Sequence, residues 1–286
     1  MIRQLFIAGV AVAAATSNSA AQHSVTYPTD PRPSVAAGKL TEHVVFDSAY
    51  KRPRRIWVYT PPGYDAHRAI AYPMIVAFDG DEYRDTMPLP MILDTLFAGK
   101  HAPAFVAVLV DDSSSGTRIA DLANSARMVQ FLGKQIIPWV RGSWHVTTDP
   151  RRVIVTGSSA GGLGSAYVAF IRPDLFGNVW SQSGAFWRGA EASNSAPYEW
   201  LTDQVKRSPK KNVRFYLDVG EMEDHPTLGG SGPNFRGANR RMRDALRSKG
   251  YDVTYTEVPG GNHAERWWRE RLPVGIVALS AGWPRD

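Results

Sequence analysis

The chain has 286 residues, of which 43% are hydrophobic and 21% are charged, so it can bury a large core and is not globally disordered. It contains no cysteine, which excludes disulfides and cysteine-ligated metal sites. The net charge of +6 is modest and spread over several short basic clusters, which argues against a nucleic-acid partner.

The N-terminus has the features of a secretory signal peptide over residues 1–21. A short positive segment precedes an apolar stretch, residues 5–15, that is too short to span a bilayer, so we expect no stable membrane insertion. Residues 19–21 are small and fit the cleavage rule, which makes Gln22 the predicted mature N-terminus. We therefore predict export to a periplasm or to the medium, with a buried N-terminal helix as the alternative interpretation.

Residues 22–38 are polar and proline-containing and are predicted to form a flexible leader, and residues 39–286 are predicted to form a single α/β domain. The predicted strands of this domain cover residues 41–49, 54–60, 73–78, 104–110, 152–156, 177–182, 212–219 and 251–258. Its predicted helices cover residues 89–98, 123–140, 161–170, 238–249 and 267–281. The first two strands alternate in polarity, which is typical of an antiparallel pair at a sheet edge. The later strands alternate with helices, which predicts a mostly parallel sheet with helices on both faces.

The stretch Gly157-Ser158-Ser159-Ala160-Gly161 has the pattern G-x-S-x-G and lies between a predicted strand and a predicted helix. This is the context of a nucleophile elbow, in which the flanking glycines let the chain turn sharply and expose the serine hydroxyl. Ser159 would lie at a helix N-terminus, where the helix dipole and the free N–H groups favour developing negative charge. The alternative is a glycine- and serine-rich turn with no chemistry.

A serine hydroxyl needs a neighbouring imidazole to take its proton, and the imidazole needs a carboxylate to fix its tautomer. In α/β-hydrolases these groups follow one another as serine, acid and histidine, on loops at the carboxyl ends of strands. Glu223 and His263 follow two later predicted strands in that order. Asp224 remains the rival acid, His225 the rival base, and a Ser–His dyad without an acid also stays open.

The oxyanion hole of such a site needs two preorganised N–H donors. One is predicted to be the amide of Ala160, directly after the nucleophile, and the other the amide of Asp81, in the turn after the third strand. Arg118 is a predicted substrate-binding residue for an anionic or catecholate-like group. An ion pair with Asp121, one helical turn away, is the alternative for this arginine.

Aromatic side chains are numerous in the second half of the chain, and Trp187, Trp267 and Trp268 are predicted to line an aromatic cleft, with core packing as the alternative. Residues 186–211 hold several aromatic residues without clear periodicity and are predicted to form a lid or insertion over the site. No metal and no cofactor are predicted, because the acidic residues in the first half lack a compact ligand spacing. These acidic residues are Asp79, Asp81, Glu82, Asp111 and Asp112.

Several segments together are far more specific than the elbow pattern alone. They cover residues 77–80, 118–122, 155–162, 172–177, 181–187, 260–263 and 267–269. In these segments the chain resembles an esterase family of α/β-hydrolases that includes enterochelin esterases, feruloyl esterases and mycolyltransferases, and it is most similar to the enterochelin-esterase-like branch. The resemblance runs from about residue 54 to the C-terminus. It departs from the family pattern in the order Gly260-Gly261-Asn262-His263, where Gly-Gly-His-Asp is usual, and in Asp121, where Glu is commoner.

The resemblance implies an α/β-hydrolase fold with Ser159 as nucleophile, Glu223 as acid and His263 as base, and with the amides of Asp81 and Ala160 as the oxyanion hole. The resulting hypothesis is an exported serine esterase that acts on a small-molecule or glycan-linked ester. A bulky or aromatic ester is expected, such as a siderophore lactone, a feruloyl-type ester or an acyl-sugar ester. An acyltransferase and a catalytically inactive siderophore- or glycan-binding protein are the alternatives. The oligomeric state is left open.

Overall fold

The computed structural model describes residues 35–112, 116–190, 198–224 and 234–285. The predicted signal peptide and most of the predicted leader lie outside these ranges. The strands are β1 (Lys39–Asp47), β2 (Arg52–Thr60), β3 (Met74–Ala77), β4 (Val106–Val110), β5 (Val153–Ser158), β6 (Asn178–Gln182), β7 (Arg214–Gly220) and β8 (Val253–Val258). Within the described residues these eight strands form one sheet in the order β1-β2-β4-β3-β5-β6-β7-β8.

The sheet is mostly parallel with an antiparallel edge, as the sequence predicts. β1 pairs with β2 and β2 pairs with β4 in antiparallel register, for example Lys39 opposite Thr60 and Ile56 opposite Val110. All other neighbouring strands are parallel. β1 alternates between exposed and half-buried residues because it is an edge strand, whereas every residue of β3 and β4 is buried.

The helices are α1 (Gly80–Asp85), α2 (Leu89–Ala98), α3 (Arg118–Leu122), α4 (Ala126–Phe131), α5 (Ile137–Ser143), α6 (Ala160–Ile171), α7 (Trp200–Arg207), α8 (Phe235–Ser248) and α9 (Glu265–Leu279). A 3₁₀ turn covers Pro150–Arg152, and a π-helical turn, Leu132–Ile136, joins α4 to α5. Successive side chains of a strand point to opposite faces of the sheet. Accordingly Val76 packs with α3 to α8 on one face, and Ile75 and Ala77 pack with α1, α2 and α9 on the other.

Several helices differ from the sequence prediction. α1 and α3 are short and were not predicted as helices. The predicted helix 123–140 begins at Ala126, because Ser125 caps it by accepting the N–H of Met128. Residues 200–207 of the predicted lid form α7, whose Leu201 is buried in the core, so the lid interpretation is wrong for that part.

None of the helices in the described ranges is long and apolar enough to cross a membrane.

Candidate active site

The predicted nucleophile lies on a sharp turn between β5 and α6. β5 ends at Ser158, Ser159 has φ 57° and ψ −114°, and α6 begins at Ala160. The turn is so tight that a Cβ on Gly157 would lie 2.6 Å from the backbone of Gly161. A serine in this left-handed region is strained, and such strain persists only where the surrounding contacts fix the backbone.

The two strands next to β5 supply those contacts. The N–H of Ser159 donates to the carbonyl of Gln182 at 2.8 Å, and the N–H of Ala185 donates to the carbonyl of Ser159 at 2.9 Å. On the other side, a Cβ on Gly161 would lie 2.9 Å from a carboxylate oxygen of Asp79, so α6 packs directly against the turn that follows β3. The position of the Ser159 hydroxyl is therefore set by both neighbouring strands.

The loops after β7 and β8 bring the predicted acid and base to this hydroxyl. His263 Nε2 lies 3.0 Å from Ser159 Oγ, and His263 Nδ1 lies 2.7 Å from Glu223 Oε2. An ionised carboxylate only accepts hydrogen bonds, so Nδ1 carries the hydrogen and Nε2 presents its lone pair to the serine. The three side chains form one continuous chain of hydrogen bonds.

Two aromatic rings pack against the His263 imidazole. The ring centroid of Phe235 lies 4.3 Å from that of His263 with a tilt of 41°, and the ring of Trp268 meets it edge-on at 4.9 Å. Glu223 is 1% exposed, whereas the His263 side chain is 21% exposed. The chain of hydrogen bonds therefore runs from a buried carboxylate to a half-buried hydroxyl, with an imidazole held between two rings.

Of the two rivals that the sequence left open, only Asp224 lies within the described residues. Asp224 pairs with Arg236 at 3.1 Å. His225 lies outside the described residues. The carboxylate that the structure places against His263 is Glu223.

The two predicted oxyanion donors lie in the first turns of two neighbouring helices. Ala160 is the first residue of α6, and Asp81 is the second residue of α1. The strands that precede these helices, β5 and β3, are adjacent and parallel, so both helix N-termini lie at the same edge of the sheet as Ser159. Amides in a first helical turn have no acceptor within that helix, which suits them to bind an oxyanion.

Asp79 fixes the turn that carries Asp81. It adopts a left-handed conformation with φ 52° and ψ 54°, and its N–H donates to Asp112 Oδ2 at 3.3 Å. Burial raises the pKa of Asp79, and the guanidinium of Arg118, whose Nη2 lies 2.7 Å from Asp79 Oδ2, opposes that rise. The sequence indicates an ordinary turn here and gives no sign of α1, because a helix of six residues is too short to show periodicity.

The partner of Arg118 differs from the sequence expectation. Its guanidinium forms two hydrogen bonds with Asp79, and Asp121 pairs instead with Arg52 and Arg54, so the proposed ion pair with Asp121 is wrong. The Arg118 side chain still reaches the cleft beside Ser159. Its role in binding substrate stays a prediction. A substrate anion at Arg118 would share the guanidinium with the Asp79 carboxylate.

A cleft of about 470 Å³ opens beside the nucleophile. Its described lining residues are Glu82, Arg118, Ser159, His263, Ala264, Glu265 and Trp268. Trp187 and Trp267, which the sequence predicts to line the cleft, are not among them. Trp187 instead packs against Phe235, and Trp267 lies against the guanidinium of Arg266. Trp268, the third predicted tryptophan, does line the cleft.

Glu82 and Glu265 bring carboxylates into the wall of the cleft. Sequence reasoning considered Glu82 only as part of a metal site, because α1 was not predicted. Burial raises the pKa of Glu82 to about 7, and the charge of Asp79 adds to the rise while that of Arg118 opposes it. The charge of the cleft therefore changes near neutral pH.

Comparison with known proteins gives consistent matches along the chain. The family model described as "Putative esterase" matches residues 48–279. The iron(III) enterobactin esterase of Escherichia coli O6:H1 is 27% identical over 232 residues, which cover 80% of this chain and 54% of that protein. The chain thus spans about half the length of this relative.

Solved structures agree with this match. The enterobactin esterase from Shigella flexneri, crystallised in the presence of enterobactin, has a TM-score of 0.74 and 25% identity, covering 87% of this chain and 60% of that one. A ferulic acid esterase from Anaeromyces mucronatus in complex with ferulic acid has a TM-score of 0.69 and 20% identity, covering 89% of this chain and 95% of that one. The second likeness concerns the fold alone. Together with the sheet order, these likenesses confirm the predicted α/β-hydrolase fold.

Proposed function

The chain belongs to the esterase family whose model matches residues 48–279, and from this we propose that it is an exported serine esterase that hydrolyses a carboxylic ester through an acyl-enzyme. The observation that carries the proposal is the hydrogen-bonded chain from Ser159 Oγ through His263 to Glu223. This arrangement is what nucleophilic catalysis by a serine requires.

In the first half of the reaction, Ser159 Oγ attacks the ester carbonyl carbon while His263 Nε2 takes the hydroxyl proton. The amides of Ala160 and Asp81 stabilise the negative charge that develops on the carbonyl oxygen. The imidazolium then gives its proton to the departing alkoxide, which leaves as an alcohol, and the acyl group stays on Ser159.

In the second half, His263 takes a proton from a water molecule, which attacks the acyl carbon. Collapse of the second tetrahedral intermediate breaks the bond to Ser159 Oγ, returns the proton to that oxygen and releases the carboxylic acid. Throughout, Glu223 keeps the Nδ1 hydrogen in place and balances the positive charge of the imidazolium.

For the substrate we propose a bulky or aromatic ester, which is a siderophore lactone, a feruloyl-type ester or an acyl-sugar ester. The name of the enterobactin esterase supports the first class, and the open cleft with Trp268 in its wall can accommodate an aromatic group. Hydrolysis rates over ferric-siderophore, feruloyl, acetyl-sugar and short-chain esters would rank these classes.

Substitution of the nucleophile tests the hydrolase. We expect Ser159→Ala to lower kcat on a small chromogenic ester by about 10⁴-fold or more while leaving the melting temperature near that of the wild type. A fluorophosphonate should label the wild type and not this variant. Ser181→Ala is the matched control, since its hydroxyl is buried, has no hydrogen-bond partner among the described residues and lies on the neighbouring strand.

Three results would change the proposal. Turnover retained by Ser159→Ala would remove this serine from the mechanism. A wild type that neither turns over esters nor reacts with the fluorophosphonate would indicate a binding protein on a hydrolase fold. Ester products formed with added alcohols in preference to free acid would indicate an acyltransferase.

Export is proposed from the sequence of residues 1–21 alone. Expression with the native N-terminus should give a mature protein that begins at Gln22 and is found in the periplasm or the medium. Mass spectrometry of the purified protein checks this, and an intact N-terminus in the cytoplasmic fraction contradicts it.

A further inference from the structure

The Glu223 carboxylate has partners on both oxygens. Oε2 faces His263, while Oε1 accepts one hydrogen bond from the hydroxyl of Ser183 at 2.6 Å and another from the N–H of Gly220 at 2.8 Å. Glu223 and Ser183 are each 1% exposed. With both oxygens held, the plane of the carboxylate is fixed, and so is the direction from which it meets the imidazole.

The direction of the Ser183 hydrogen bond follows from Trp268. The indole N–H of Trp268 lies 2.9 Å from Ser183 Oγ. An indole N–H can only donate, so it occupies a lone pair of the serine oxygen and leaves the serine hydrogen for another acceptor. That acceptor is Glu223 Oε1, which lies at the shorter distance. The Trp268 N–H therefore orients the Ser183 hydroxyl towards Glu223 Oε1.

The backbone at Ser183 is unfavourable for a serine. Its φ is +47°, in the left-handed region that glycine and asparagine adopt most readily. The Ser183 N–H donates to the carbonyl of Asp218 at 2.7 Å, which holds this conformation. The backbone alone would therefore favour glycine at this position. A serine adds the hydrogen bonds of its hydroxyl with Glu223 and Trp268.

We propose that Ser183 is a positioning residue for the proposed triad, which acts by orienting the Glu223 carboxylate towards His263. The inference rests on the proposed function. Ser183 lies behind Glu223 and is not among the described residues that line the cleft, so it does not contact the substrate. Loss of its hydroxyl leaves the N–H of Gly220 as the remaining donor to Oε1 among the described residues. The carboxylate then turns more freely, and His263 is aligned for less of the time.

The test compares Ser183→Ala and Ser183→Gly with the wild type and with the control Ser181→Ala. We expect both Ser183 variants to lower kcat on a chromogenic ester by about tenfold or more, with KM unchanged within about twofold. The rate of fluorophosphonate labelling should fall by a similar factor, because it depends on the same proton transfer. Ser181→Ala should match the wild type in all three measurements.

The glycine variant separates positioning from a structural role, because the left-handed backbone accepts glycine without strain. Where Ser183→Ala does not fold, Ser183→Gly carries the test. Wild-type kcat and labelling rate in a folded Ser183 variant would overturn the inference, as would a change in KM alone. If the wild type itself shows neither hydrolysis nor labelling, the proposed function has failed. Failure of the positioning role alone would appear as an active wild type with equally active Ser183 variants.

Discussion

Two of the networks of buried polar groups in the described residues differ in where they end. The first is the hydrogen-bonded chain from Ser183 through Glu223 and His263 to Ser159. The second, here termed the arginine–aspartate cluster, lies where the antiparallel strands β1, β2 and β4 meet α3. It consists of Asp47, Arg52, Arg54, Asp112 and Asp121.

The arginine–aspartate cluster closes on itself. Arg54 is 3% exposed, and its guanidinium lies 2.9 Å from Asp47, 2.7 Å from Asp112 and 2.9 Å from Asp121. Burial raises the pKa of Asp112 well above its usual value, and the charge of Arg54 opposes that rise. Each of these carboxylates faces a guanidinium, so removal of one partner would leave a buried charge unpaired, and none of the five residues is among the described residues that line the cleft.

The hydrogen-bonded chain at the candidate active site is instead open at one end. Its inner end, Glu223, is held by Ser183 and Gly220, and its outer end is the Ser159 hydroxyl in the cleft. Both networks bury charge, so burial of charge does not distinguish them. The candidate site differs in that its hydrogen-bonded chain is fixed at the buried end and terminates at a group that a ligand can reach.

The largest effect is expected from removing Glu223, the acid of the hydrogen-bonded chain that ends at Ser159. Glu223→Ala should lower kcat by about 10³–10⁴-fold, because the imidazole loses the group that fixes its tautomer. Asp224→Ala is the matched control and should stay near the wild type, since Asp224 pairs with Arg236 and the carboxylate paired with His263 is that of Glu223. Steady-state kinetics on one chromogenic ester measure both. Equal and small effects would instead support a Ser–His dyad.

The next largest effect is expected from removing Arg54 from the arginine–aspartate cluster. Arg54→Ala should lower the free energy of unfolding by about 3–5 kcal/mol, because it leaves the buried Asp47 and Asp112 without their counter-charge. Denaturant unfolding measures this change. Arg151→Ala, which removes an exposed ion pair with Asp149, should leave the unfolding midpoint unchanged. A similar loss in both variants would show that the closed cluster has no special weight in stability.

A third prediction uses a carboxylate that belongs to neither network. Asp218 is buried and accepts from the Trp180 indole N–H at 3.1 Å, and burial raises its pKa to about 6. Because the folded-state pKa is raised, the folded protein binds this proton more tightly than the unfolded chain. Stability is therefore lost as pH rises from about 4 to about 6, and the loss is complete above that range.

Asp218→Asn keeps an acceptor for Trp180 and removes the buried charge. It should raise the free energy of unfolding by about 1–3 kcal/mol at pH 8 and by much less near pH 4. Denaturant unfolding at the two pH values tests this. A gain of equal size at both pH values, or a loss at pH 8, would contradict the assignment.

The smallest expected effect concerns the charge of Glu82 in the wall of the cleft that Ser159 lines. As pH rises through about 7, the pKa of Glu82, this residue becomes negative beside Ser159. KM for an ester that carries a carboxylate should then rise about threefold between pH 6 and pH 8. Glu82→Gln should remove this rise, and a neutral ester serves as the control substrate. If KM of the variant depended on pH as that of the wild type does, the assignment to Glu82 would be wrong.

Much of the fold could be predicted from the sequence because strand and helix patterns are local. The alternation of β1 and β2, the buried runs of β3 to β5 and the elbow pattern each lie within a few consecutive residues. The order in which Ser159, Glu223 and His263 follow their strands could be predicted for the same reason. The geometry that joins them became visible only in the structure.

The parts that the sequence missed depend on contacts between distant segments. Arg118 pairs with Asp79, 39 residues away, whereas local spacing suggested Asp121. Trp267 and Trp268 are adjacent, so helix geometry turns them about 100° apart, and the exact start of α9 decides which one faces the cleft. The hydrogen bond from Ser183 to Glu223 joins the loops that follow β6 and β7, 40 residues apart, so no local sequence pattern indicates it.

The hydrogen bond from the Asp79 N–H to Asp112 connects the arginine–aspartate cluster to the turn that carries Asp81. Asp112 itself is not among the described residues that line the cleft. With the Asp81 amide as an oxyanion donor, substitutions around Asp112 should therefore change the rate of hydrolysis without contacting the substrate.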